Sequence, residues 1–158
     1  KEKIDDKYLQ LEEIQKRIKS GEDIIGRKER YVVKKLDETF YIANENYKNR
    51  LSKIPIKTSW SVNFKIYKNL SLNKSGKINH KISKFIKEYS INFNHRKRNV
   101  KNDYTLLNCH IDLQLFYGLI SKKYPSWNQP TSGSLVLYER KPNIFDPNLL
   151  FSLNFLTI

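Results

Sequence analysis

Few side chains in this chain are suited to acid–base, nucleophilic or metal chemistry. They are His80, His95 and His110, the single Cys109, and a set of carboxylates of which only five lie beyond residue 58. A metal site needs two or more ligands at a spacing that lets them converge on one point. No two of the histidines have that spacing, and Lys and Arg beside them repel a cation, so no metal is expected. His110 and Asp112 stand two apart and share one face of an extended segment, where a solvated surface pair is expected. No serine has a nucleophile-elbow setting, and five glycines form no phosphate-binding loop. A paired-carboxylate site lacks material. Cys109 has no partner for an internal disulfide, which fits a reducing compartment. These observations argue against an enzyme, a cofactor or a small-molecule substrate.

The charge is uneven. Residues 1–58 carry 15 basic and 11 acidic side chains, a net of +4, whereas residues 59–158 carry 15 and 5, a net of +10. A basic body suits a polyanion or an acidic protein surface. Its densest stretch is "NHRKRNVKND", where Arg96, Lys97, Arg98 and Lys101 are the candidate nucleic-acid contacts. Lysines and arginines there would neutralise phosphates and position the chain without reading bases. No apolar run is long enough to cross a bilayer, and the charged start "KEKIDDKYLQ" is no signal peptide. The chain begins at Lys1 and has no methionine, so a longer parent protein is expected.

These residues must be positioned by two kinds of element. In "YLQLEEIQKRI", Tyr8, Leu11, Ile14 and Ile18 recur three or four apart and predict a short amphipathic helix, broken by "SGEDIIG". A second helix is predicted from about Arg27 to Leu51, with a stripe of Val33, Leu36, Phe40, Ala43, Tyr47 and Leu51. Pro55 ends it. From Trp60 the apolar period becomes two: Trp60, Val62, Phe64 and Ile66 predict a half-buried strand. "KNLSLNKSGKINHK" reads as a polar loop, and "ISKFIKEYSINF" as a helical turn running into a strand. "LLNCHIDLQLFY" reads as one strand, with Leu107, Cys109, Ile111, Leu113 and Leu115 on a single face. "SLVLYER" is a further strand, followed by an apolar tail beyond Pro142 and Pro147. The expected fold class is α+β: an amphipathic helical arm over residues 1–55, then a basic, mostly antiparallel β-rich body over 56–158. One stripe on an otherwise polar helix can pack on this chain's own body or on helices of another protein; the second is expected, with Leu36, Phe40, Tyr47 and Leu51 as the partner-binding residues.

The order of motifs resembles a known family. "LDETFYIANENYKNRLSKIPIK" is followed by "SWSVNFKIY", then "KISKFIKEYSINF", then "NCHIDLQLFY". In that order the chain resembles the accessory subunits of SWI/SNF and RSC chromatin remodellers that carry a SWIB domain. The resemblance covers about half the chain and does not include the SWIB domain. It implies a non-enzymatic scaffold whose helix docks on other subunits of a nuclear multiprotein complex and whose β-body bridges them. A second run, "YPSWNQP…NIFDPN", is similar to the Tyr-Pro…Pro…His-Pro-Asn run of ubiquitin-conjugating enzymes. In those enzymes the nucleophilic cysteine follows the run. Here Cys109 precedes it and none follows, which excludes the catalytic form.

Two functional expectations result. One is a scaffold or accessory subunit of a nuclear assembly of the chromatin-remodelling kind. The alternative is an RNA-contacting structural protein of a ribosome-like, organellar particle, which draws on the basic body and a Lys-, Ile- and Asn-rich composition.

Overall fold

The computed structural model describes residues 33–55, 60–91, 105–128 and 135–158, together with positions 16 and 130. The helix predicted near residues 8–18 and the basic segment carrying Arg96, Lys97, Arg98 and Lys101 lie outside the described residues.

Helix α1 spans Val33–Ser52. Its spacing of apolar residues puts Leu36, Phe40, Ala43 and Tyr47 on one face, and all four are buried. Two turn hydrogen bonds close the helix, from Lys53 N to Arg50 O and from Ile54 N to Leu51 O, and Pro55 stops it. Strands β1 (Ser61–Lys68), β2 (Lys84–Ile91), β3 (Leu106–Asp112) and β4 (Leu137–Lys141) form one sheet in the order β2-β1-β3-β4. The β1–β2 and β3–β4 pairings are antiparallel, and the central β1–β3 pairing is parallel. The fold is therefore α+β, with a mixed, mostly antiparallel sheet.

Two segments differ from the sequence-based expectation. The turn before β2 ends at Ile82, and Lys84–Ile91 is strand throughout, without the helical reading of Ile82, Phe85 and Ile86. The long strand through Leu115 stops at Asp112, and Leu113–Ile120 is helix α2. Asp112 decides the change: its backbone is extended and its carboxylate accepts from Gln114 N at 2.9 Å, so it caps the helix N-terminus. Leu113, Leu115, Phe116, Leu119 and Ile120 are all buried, so α2 is apolar nearly all round and its period cannot be told from that of a strand. Gly118 sits under the Tyr124 ring, where a Cβ would lie 2.1 Å from Cε2, and only glycine admits this approach.

The core lies between the helices and one face of the sheet. Phe40 meets the Tyr89 ring at 4.3 Å, tilted by 32°, and Phe64 meets Phe116 at 5.1 Å and Trp127 at 5.7 Å between ring centroids. The C-terminal apolar tail belongs to this core. Helix α3 (Pro147–Ser152), capped by Asp146, and a 3-10 turn at Leu153–Phe155 bury Leu149, Leu153 and Leu156. Arg50 of α1 donates to the carbonyls of Phe155 and Thr157 at 3.0 and 2.8 Å. The Tyr47 hydroxyl donates to Ser152 Oγ at 2.9 Å, and Ser152 in turn donates to Leu149 O. Residues 33–52 thus share one core with the sheet.

Candidate nucleic-acid interface

The residues proposed to grip a partner are not free. Leu36 and Tyr47 are fully buried, Phe40 is 8% exposed, and Leu51 is half-buried against the same core. The stripe on α1 is covered by this chain's own sheet and tail, which corrects the expectation of an unpartnered docking stripe. A single apolar stripe records a need for burial, not what does the burying.

His110 and Asp112 are also placed differently from a solvated pair. They are 5% and 4% exposed and make no hydrogen bond to each other. The carboxylate of Glu139 accepts from His110 Nε2 at 2.9 Å, which leaves Nδ1 to accept from the Tyr67 hydroxyl at 3.2 Å. Burial, then Glu139 and Glu88, push the Tyr67 hydroxyl above its usual range, which makes it a poor nucleophile. Asp112 is tied to backbone: its Oδ1 caps α2, and its Oδ2 accepts from Leu70 N at 3.3 Å. Burial pushes its carboxyl up to about 6. Cys109 is wholly buried, and burial pushes its thiol well above its usual value, so it packs as a small apolar side chain. Of the histidines, His80 is exposed and His95 lies outside the described residues.

The feature that stands out is the connection between β1 and β2. Residues 68–84 carry Lys68, Lys74, Lys77, Lys81, Lys84 and His80, with no acidic residue among them, and all six side chains are exposed. Lys68 and Lys84 pair directly across the two strands, a like-charge arrangement that destabilises a sheet. Among the described residues, Lys48 pairs with Glu45 and Lys87 with Asp37, and neither pair neutralises these lysines.

The connection is held in shape by its own hydrogen bonds. Asn73 Oδ1 accepts from Ser75 N and Lys77 N at 3.0 and 2.9 Å, and Leu72 and Ile78 form a bridge. Gly76 supplies the left-handed backbone of this turn, at φ +76°. Asn79 Oδ1 accepts from Lys81 N at 3.1 Å, and Ser83 Oγ accepts from Ser71 N at 2.8 Å. The Leu70 bond to Asp112 anchors the base of the connection to the start of α2. The lysines therefore extend from a fixed frame.

Sequence reading passed over this segment because Asn and Ser dilute its charge. The available signal was five lysines without one acid over seventeen positions. Toward the other end of β1 from this connection, part of the outer face of the sheet is polar. Asn63 Nδ2 donates to Asn108 Oδ1 at 3.3 Å, and Ser90 Oγ donates to Asn63 Oδ1 at 2.8 Å. Compared with known proteins, the chain matches no family model, no curated protein and no solved structure.

Proposed function

We propose that this protein is a non-enzymatic structural component that contacts the phosphate backbone of a nucleic acid, most simply the RNA of a ribonucleoprotein particle. The observation that carries the reading is the ordered, acid-free connection with five exposed lysines. Placing like charges together on a fixed frame costs free energy in the isolated chain, and a polyanion offsets that cost while releasing its counterions.

The test is fluorescence anisotropy of the full chain against a labelled RNA 20-mer across a KCl series. Affinity should fall steeply with salt. Replacing Lys74, Lys77 and Lys81 together with Ala should flatten the slope of log K against log salt by about 2, if each lysine neutralises one phosphate. Binding without salt dependence, or a slope the triple variant leaves unchanged, would overturn the reading.

A second reading is favoured by a different observation. Ile144, Phe145 and Phe151, near the C-terminal end, are 59%, 63% and 50% exposed. Exposed apolar side chains of this size suit a protein partner. Together with the resemblance to chromatin-remodeller subunits, they support a scaffold role in a nuclear assembly. The salt-resistant capture of remodeller subunits, lost on Phe145→Ser, would favour this reading over the first.

A further inference from the structure

Among the described residues, the buried polar or charged side chains are Ser83, His110, Asp112 and Ser152. Two of these four hold the base of the β1–β2 connection. The Ser83 hydroxyl accepts from Ser71 N at 2.8 Å and donates to Ser71 O at 3.2 Å, so it ties the end of the connection to its start. Asp112 accepts from Leu70 N on one oxygen and from Gln114 N on the other. The backbone amides of Asn69 and Leu115 add to the support of its ionised form. One carboxylate thus joins the exit of β1 to the start of α2. The chain leaves β1 through Asn69 at φ +56°, a left-handed conformation that a residue other than glycine keeps only where its surroundings hold it. Burying polar side chains costs free energy. Here that cost fixes the shape of a loop whose lysines repel one another.

Resting on the phosphate-contact reading above, we infer that Asp112 and Ser83 are positioning residues for RNA binding, which hold the connection in its bound shape before the ligand arrives. A lysine-rich loop without these ties would still neutralise phosphates, but it would lose conformational entropy on binding. Preorganisation therefore sets the affinity at every salt concentration, whereas the lysines set its salt dependence. Charge alone predicts the opposite effect for Asp112. Its carboxylate is a negative charge near a surface for a polyanion, and by that argument removing it would strengthen binding.

The test measures binding of the labelled RNA 20-mer across the KCl series for the full chain, Asp112→Asn and Ser83→Ala. The pH is held above the range in which Asp112 takes up a proton. Asparagine keeps an acceptor for the Gln114 amide and caps a helix as well as aspartate does. Its other polar atom is a donor, which cannot accept from Leu70 N. Asp112→Asn therefore frees the connection and leaves α2 capped. Each variant should bind about fivefold more weakly at every salt concentration, with the parent slope of log K against log salt. Hydrogen exchange at the amides of Asn69, Leu70 and Ser71 should rise in Asp112→Asn. Circular dichroism and the urea midpoint check each fold, and Ser83→Ala carries the binding test if Asp112→Asn does not fold. Either variant binding as tightly as the parent chain, or more tightly, would overturn the inference and leave the lysine reading standing. So would weaker binding with a flattened slope, or weaker binding of Asp112→Asn with unchanged exchange at Leu70. No salt-dependent RNA binding by the parent chain would overturn both.

Discussion

Asp112 does several structural jobs with one carboxylate, and its burial has a measurable consequence. Its carboxyl is raised from 3.8 to about 6, chiefly by loss of water. The folded chain therefore still holds a proton that the unfolded chain has released between those two values. Stability falls as pH rises through that window, by about 3 kcal/mol for a shift of this size. Asp112→Asn keeps an acceptor for the Gln114 amide but does not titrate. Its urea midpoint should stay level from pH 4 to pH 7 while that of the parent chain declines. A variant that declines in parallel with the parent would show that the dependence has another source. The sequence read Asp112 and His110 as a solvated pair, whereas both are buried and each bonds other partners. The "His-x-Asp" spacing says that two side chains share a face only if the strand continues. It does not say that the strand ends at the second of them, nor that a loop 42 residues earlier closes over it.

Element α1 was legible as a helix because its apolar residues recur at helical spacing and Pro55 marks its end. What its stripe packs on was not legible. Phe40 makes ring contacts with Phe64, Tyr89 and Phe116, which come from two strands and a second helix. Phe40→Ala should therefore lower the stability of the whole domain by about 3–5 kcal/mol, the usual cost of emptying a buried aromatic site. Urea unfolding monitored by tryptophan fluorescence should show a lower midpoint with an unchanged slope. A docking residue would instead leave the free protein's midpoint in place. Helix α2 makes the complementary point: where every face is buried, neither a period of two nor a period of 3.6 leaves a clear trace.

At the scale of the molecule, a formal charge of +14 acts on both folding and binding, with opposite dependence on salt. Screening relieves the repulsion among Lys68, Lys84 and their neighbours, so raising KCl from low to moderate concentration should raise the melting temperature of the free protein. The expected rise is about 3 °C, corresponding to roughly 1 kcal/mol in a domain of this size. Over the same range, affinity for RNA should fall. A melting temperature that drops with salt would mean that attractive pairs, not repulsion, dominate the surface. The basic character, the α+β class, the helix before Pro55 and the strand after Trp60 were all set by the sequence itself, because charge, chain breaks and apolar period are local properties. Three things were settled only in three dimensions. The parallel β1–β3 pairing depends on contacts some 45 residues apart, such as Phe64 with Cys109. The stripe of α1 was covered by this chain's own sheet and tail. The lysines of residues 68–84, diluted among Asn and Ser along the chain, stand exposed on a connection that backbone hydrogen bonds to Asn73, Asn79 and Ser83 fold back on itself.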